Sequence, residues 1–328
     1  MAQEHGDSFY APVVIPTLNR YVHLKRCVDS LAKCTGADKT ILVISLDYPP
    51  SEKYFEGYNR IKDYLPTIQG FRDVVVLEAE YNLGTVKNCR VLYDYVRGLG
   101  FDKYIFSEDD NEFSPNFLEY INKGLSLYER DEKVLMISGY SYPDICKMKN
   151  TNNVLAFRKA AAWGCGRWFH KEMTYVTLGP QQYRDAILLS WKKALRLFVL
   201  RPISLNSLIS MKLRDTTYGD SLMVDCMLLE NKYCVFPKIS KVRNWGHDGT
   251  GEHCDVSDKY ISQEIDACDA FEYDELKFYK RIPHERFNEN DIINGVYKRI
   301  IIPFVVMTRF LFFRLTGKDL YYYWFEKK

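Results

Sequence analysis

The sequence predicts an α/β fold: a mostly parallel sheet with helices on both faces, followed by a C-terminal helical appendage. Three observations predict it. Short apolar runs alternate with helix-spaced segments through the first half, the runs are rich in β-branched residues, and polar or acidic residues fall just past their ends. Ala11 to Ile15 is an apolar run closed by Pro16, as expected of a buried strand. Tyr21 to Ala32 then carries Leu24, Cys27, Val28 and Leu31 at helical spacing. Thr40 to Leu46 is a second strand, ended by Asp47 and two prolines, and Asp73 to Leu77 a third. Val86 to Leu99 reads as a helix, and Lys103 to Phe106 as a fourth strand that runs straight into an acidic cluster. Asn116 to Glu129 is a helix and Val134 to Ser138 a fifth strand. Sheets of this kind bind ligands at the carboxyl ends of their strands, where Asp47 and the acidic cluster fall.

From about Tyr140 the pattern is less regular. A Gly/Trp-rich stretch spans Ala162 to Trp168, a basic apolar segment spans Ser190 to Arg214, and a second candidate site runs from Tyr218 to Cys254. There is no internal repeat, low-complexity tract or clear linker. The expected organisation is a catalytic domain over 1–280 and a helical segment over 281–328.

Composition narrows the function classes. The chain has 328 residues, 47% hydrophobic and 27% charged, enough for one large α/β domain with an appendage. With a formal net charge of +2, nothing argues for a global nucleic-acid footprint, and no nucleic-acid partner is expected. The 25 tyrosines suit sugar faces and protein interfaces alike. Nine scattered cysteines with no Cys-x-x-Cys pair point to free thiols in a reducing compartment. Met1 to Tyr10 lacks the basic-then-apolar layout of a signal peptide, so the expected location is the cytoplasm. Val296 to Leu315 mixes apolar and basic residues and is followed by Tyr321, Tyr322, Tyr323 and Trp324. Its longest uncharged run, Ile300 to Thr308, is too short to cross a bilayer. Two readings stand open: a helix lying peripherally on the inner face of the cytoplasmic membrane, or a helix pair packed on the catalytic domain.

The strongest chemical signal is Ser107-Glu108-Asp109-Asp110, directly after a strand. Adjacent carboxylates repel each other unless a cation neutralises them, and Mn²⁺ or Mg²⁺ with oxygen ligands is the natural one. The alternative is a solvated acidic turn. Asn82-Leu83-Gly84-Thr85, with Lys87 and Asn88 following, opens a helix whose amides suit an anion, or else simply turns and caps the helix. Asp47 suits bonds from a base N–H or ribose hydroxyls, or is a turn residue before Pro49 and Pro50. Tyr218-Gly219-Asp220 offers a carboxylate base for a hydroxyl acceptor, with Asp225 as its rival; the alternative for Asp220 is a helix N-cap. Asn244-Trp245-Gly246-His247-Asp248-Gly249 and His253 form a Gly-rich loop that suits a lid or a metal or phosphate contact, where a histidine is more often structural or exposed.

These motifs resemble those of a known family. Pro12-Val13-Val14-Ile15-Pro16-Thr17-Leu18-Asn19-Arg20 looks like the opening strand and loop of GT-A glycosyltransferases, and Asn82-x-Gly84 with Asn88 is similar to the motif of their family 2 group. Glu108-Asp109-Asp110, then Phe113-Ser114-Pro115-Asn116-Phe117, resembles the N-acetylglucosaminyltransferase I group. So do Ile44-Ser45-Leu46-Asp47, Trp163-Gly164-Cys165-Gly166-Arg167-Trp168, which is similar to that group's Gly-Leu-Gly-Trp loop, and Tyr218-Gly219-Asp220. The resemblance implies a nucleotide-sugar donor of the UDP type, Mn²⁺ (or Mg²⁺), and inversion at the anomeric carbon. By it, Pro16, Thr17, Arg20, Asp47, Asn82, Gly84 and Asn88 line the donor, while Glu108 and Asp109 contact its sugar or ribose. Asp110 holds the metal, with His253 as a further ligand candidate, and Asp220 is the base. The sequence departs from the group after Asp220, where Ser221 and Leu222 replace a second aspartate and its neighbour. The implied acceptor is a glycan or lipid-linked hydroxyl in surface polysaccharide synthesis. A sugar nucleotidyltransferase would show a Gly-rich loop after the first strand, where Pro16 to Arg20 has no glycine. A non-catalytic carbohydrate-binding protein would not need Glu108-Asp109-Asp110 and Asp220 intact.

Overall fold

A computed structural model describes residues 10–149, 152–171, 173–250, 256, 260–280 and 300–321. These residues form the expected α/β architecture, in two compact units. The first unit comprises Met1–Phe157, Ala161–Lys171 and Cys234–Lys280; the second comprises Arg158–Ala160, Glu172–Tyr233 and Arg281–Lys328.

The first unit is built on a sheet whose parallel half contains β1 (Val13–Thr17), β2 (Ile41–Leu46), β3 (Asp73–Glu78) and β4 (Lys103–Phe106), in the order β4-β1-β2-β3. Val13, Val14 and Ile15 are consecutive and all fully buried, so both faces of β1 are covered. On one face α3 (Thr85–Gly98) places Leu92 and Val96 against Val14, Val43 and Tyr104. The amphipathic α1 (Tyr21–Leu31) follows β1, and α2 (Phe55–Tyr64) leads to β3. Pro16 lies inside β1 rather than closing it. The pairing to β4 covers only Val13 and Val14, so the N–H that proline lacks is not needed on that side.

The sheet continues past β4 through β8 (Cys165–Trp168), β6 (Val134–Ser138), β9 (Tyr233–Pro237), β7 (Val154–Phe157) and β11 (Lys277–Tyr279). The Cys165–Trp168 part of the Gly/Trp-rich stretch is therefore a central strand, antiparallel to both β4 and β6. Gly166 makes that possible. A Cβ there would stand 2.6 Å from Ile121 Cγ2 of α4 (Phe117–Leu127), so only glycine lets the helix lie that close. A separate two-stranded ribbon pairs β5 (Asn111–Phe113) with β10 (Val242–Asn244), setting Asn244 opposite Asn111. A short helix α5 (Pro143–Cys146) completes the unit.

The second unit is helical: α6 (Thr174–Leu178), α7 (Pro180–Leu189), α8 (Trp191–Leu200), α9 (Pro202–Leu213), α10 (Gly219–Glu230) and α11 (Ile302–Thr316). The basic apolar segment that reads as one stretch breaks at Pro202, because a residue before proline avoids helical backbone; Arg201 has φ −158° and ψ 86°. Arg309 ties α11 to α9. It is buried and donates to the Asn206 side chain at 2.7 Å and the Ser210 hydroxyl at 3.0 Å, with both Asp319 oxygens accepting its remaining N–H groups. Among the described residues no helix is long and apolar enough to cross a membrane.

Candidate active site

The parallel strands end together, and their carboxyl edge gathers the polar residues. The Asp47 amide donates to the Thr17 carbonyl at 2.9 Å, which joins the loops after β1 and β2. The loop after β4 brings Asp109 and Asp110 alongside.

The core of the site is an acidic pair closed by an arginine. Arg20 bonds one Asp109 oxygen, and its other terminal nitrogen lies 2.9 Å from Asp110 Oδ2. The Thr17 hydroxyl donates to the second Asp109 oxygen at 2.8 Å. Both carboxylates are nearly enclosed, with side-chain exposures of 6% and 7% against 21% for Arg20. Burial pushes the Asp109 carboxyl above its ordinary range, Arg20 pulls it down, and the neighbouring Asp110 charge adds to the rise. Burial also works against the Arg20 charge, but the two carboxylates more than offset it and hold the guanidinium above its ordinary pKa. The cation demanded by adjacent carboxylates is thus already present in the chain.

Asp110 is held from the other side by residues far along the sequence. Asn244 Nδ2 donates to Asp110 Oδ1 at 2.7 Å, and the Trp245 amide donates to the Asp110 carbonyl at 2.9 Å. The Gly246 amide donates to Asn244 Oδ1 at 3.0 Å, which fixes that amide's orientation. A Cβ at Gly246 would stand 2.1 Å from Asp110 Oδ2, so the close approach requires glycine. In the Gly-rich segment the described residues that reach Asp110 are Asn244 and Gly246 rather than His247. The spacing Asn-x-Gly was the available signal.

A second cluster surrounds Asp47. Its carboxylate accepts from the amides of Tyr48 at 2.9 Å, Leu83 at 2.7 Å and Gly84 at 2.9 Å, and from Asn82 Nδ2 at 3.4 Å. Asn82 also donates to the Tyr48 carbonyl at 2.7 Å. Gly84, with φ +73°, turns the chain into α3. Four donors account for the acceptor capacity of a carboxylate, so Asp47 acts as the clasp of the Asn82–Gly84 loop. Asn88 is buried and exchanges bonds with Ser45, tying α3 to β2 beneath that clasp.

The remaining expected residues fall elsewhere. Glu108 is partly exposed and its charge raises the Cys89 thiol after burial, while Asp109 and Asp110 face Arg20. Asp220 is exposed in the first turn of α10, with Tyr218 as the N-cap, so it does not cap the helix. Asp225 is fully buried in the same helix. Both belong to the second unit. His253 lies outside the described residues. His247 stacks on Tyr260 at 4.2 Å with Trp163 edge-on.

Next to the acidic pair is a cavity of about 450 Å³, lined by Arg20, His23, Arg26, Arg60, Trp245 and Asp248 among others. Arg26 lies over the Trp245 ring at 4.1 Å and Arg60 over Tyr21 at 4.4 Å, so both cations are held by aromatic faces. Arg20 is already paired with two carboxylates, so Arg26 and Arg60 are the guanidinium groups that suit the cavity to an anion.

Among the described residues no group of three His, Cys, Asp or Glu converges as a metal cage. Mg²⁺ or Mn²⁺ bound chiefly through a donor's phosphates needs only one or two protein carboxylates and keeps water ligands. Asp109 and Asp110, adjacent and buried, would supply those carboxylates by sharing oxygens that already accept from Arg20, Thr17 and Asn244.

No family model and no curated protein matches the sequence. Solved structures give distant likenesses. One is TarS of S. aureus, at 16% identity over 39% of this chain and 21% of that one, with a TM-score of 0.28. Another is a mannosyltransferase, PcManGT of Pyrobaculum calidifontis, in complex with GDP-Man and Mn²⁺, at 13% identity over 67% and 69%, TM-score 0.38. A structure of TarS residues 1–349 matches at 11% over 70% and 58%, TM-score 0.36. This chain thus spans about a fifth of the full TarS chain, 21%. Likenesses this slight assign neither an activity nor a ligand to it.

Proposed function

We propose that this protein is a glycosyltransferase of GT-A type. It moves a sugar from a nucleotide-sugar donor, of the UDP class, to a hydroxyl of a glycan or lipid-linked acceptor, with inversion and with Mn²⁺ or Mg²⁺. The observation that carries the reading is the buried Arg20–Asp109–Asp110 cluster at the carboxyl ends of β1 and β4, beside a cavity lined by cations. An α/β sheet with that edge chemistry suits a diphosphate ligand.

In this reading Asp110, with Asp109 beside it, holds the metal. A divalent cation held there would supply charge neutralisation for a departing diphosphate. Arg20 bonds and aligns both carboxylates, and Thr17 fixes the rotation of Asp109. Asn244 and Gly246 hold Asp110 from the opposite side. Asp47 positions the Asn82–Gly84 loop, which presents Gly84 and the start of α3 to the donor. Asp220, the exposed member of the α10 pair, takes the acceptor proton. The full burial of Asp225 in the same helix supports choosing Asp220 over it.

Calorimetric titration of UDP and of GDP, each with and without Mn²⁺, tests this with the full chain and Asp110→Asn. UDP binding that requires the metal and weakens at least about tenfold in the variant is expected, a loss of about 1.4 kcal/mol or more. Binding of GDP alone would replace the uridine assignment. Binding of neither, with or without metal, would remove the transferase reading.

A further inference from the structure

The helical unit shows apolar residues on the outside of two helices whose inner faces are already packed. In α8, Ala194 and Leu197 are buried, whereas Trp191, Leu195 and Val199 are exposed by 46%, 44% and 71%. These three recur every fourth residue and so form one outward stripe. In α11, Val306, Arg309 and Phe310 are buried, whereas Phe304, Leu311 and Leu315 are exposed by 69%, 41% and 85%, again on one face and continued by Ile300. The two helices meet at Trp191, whose ring packs edge-on against Phe310 at 5.4 Å and lies under Arg314 at 5.3 Å. Arg314 also donates to the Leu188 carbonyl at 3.0 Å.

The charged residues within these two helices are of one sign. Between Asp185 and Asp215 the sequence has six Lys or Arg and no acid, and between Asp291 and Asp319 it has five and none; of these, Lys212 pairs with Asp185 and Arg309 with Asp319. Lys192, Lys193 and Arg196 are exposed next to the α8 stripe, and Lys318 follows Leu315. The chain as a whole is only +2, so positive charge is concentrated in these two segments. A stripe of apolar residues flanked by cations, with a half-exposed tryptophan at its edge, matches an anionic lipid surface. It does not match a second copy of the same face, because a symmetric pairing would bring like charges together.

We infer that the outer stripes of α8 and α11 form a docking surface for an anionic phospholipid bilayer, on which the protein lies without crossing. Neither helix has the length or apolarity to span. The inference is independent of the transfer chemistry, since a vesicle needs no donor or metal to be bound.

Co-sedimentation of the full chain with phosphatidylcholine vesicles, and with equimolar phosphatidylcholine and phosphatidylglycerol vesicles, tests it. Binding to the anionic vesicles that falls as salt is raised is expected. Val199→Glu with Leu315→Glu alters only well-exposed side chains, so its melting curve should match the parent's while vesicle partitioning drops at least about tenfold. Replacing Lys192, Lys193 and Arg196 by Gln should weaken anionic binding alone, by about fivefold per cation. Absence of binding to anionic vesicles, or binding unchanged in the glutamate variant, overturns the inference. So does a dimer by light scattering that the glutamate variant dissociates, which would make the face a contact between copies.

Discussion

Arg20 carries more of the site than any other single side chain, because it balances two buried carboxylates at once. Removing one partner of a buried ion pair leaves uncompensated charge and costs about 3–5 kcal/mol. Arg20→Ala should therefore lower stability by that order, as read in urea melts, with Mn²⁺ restoring part of it by replacing the lost cation. Gly246 works through space rather than charge. Gly246→Ala puts a methyl against Asp110 Oδ2, and overpacking of this kind costs about 1–3 kcal/mol. Loss of metal-dependent UDP binding with little change in the circular dichroism spectrum is the expected result. Asp225 has a different fate. Burial pushes its carboxyl up to about 6, with the Ser204 hydroxyl and the Arg201 charge pulling it down. An acid raised in the folded state binds more protons there than in the unfolded chain between about pH 4 and 6. Its contribution is therefore most favourable below about pH 4 and is lost as pH rises through 6. Asp225→Asn should remove that dependence, leaving the variant relatively more stable at neutral pH by about 2–3 kcal/mol. Thermal melts across that range would show it.

At the scale of elements, the loop after β3 is held by one carboxylate from the neighbouring strand. Asp47→Ala withdraws the acceptor from the Leu83 and Gly84 amides together, and each charge-assisted bond is worth about 1.5–3 kcal/mol. Hydrogen exchange at residues 82–84 should quicken while β1 and β2 stay protected. How legible each element was follows from its pattern. β1, β2, β3, β4 and β6 are apolar runs bounded by breakers, and α3 and α4 carry helix-spaced apolar residues, so all were readable to within a few positions. β8 was not, because Gly164 and Gly166 read locally as turn residues and Gly166 becomes a strand residue only against α4. β5 and β10 were hidden as well: Asn111-Glu112-Phe113 and Val242-Arg243-Asn244 have too few apolar residues to announce a ribbon. The acidic cluster was visible in the sequence, but its geometry was not. Asp109, Asp110 and Arg20 lie 89 and 90 positions apart in sequence, and nothing local says that the arginine is their cation.

At the scale of the molecule, the grouping of Glu172–Tyr233 with the C-terminal residues had no sequence signal, since Arg309 meets Asn206 across 103 positions. The basic character of both segments was visible in composition. Which of their apolar residues face inward was decided by packing. Chain direction also has a bearing on the acidic pair. Asn244 is separated from Asp110 by 134 positions, whereas Arg20 precedes both aspartates. On a ribosome adding about 5–20 residues per second, Asn244 is made roughly 7–27 seconds after Asp110. The guanidinium is therefore present from the moment the two carboxylates are made, and the amide that completes their enclosure arrives last. A nascent chain never has to bury this pair without its counter-ion, and the order of synthesis itself shields the site from its least stable intermediate.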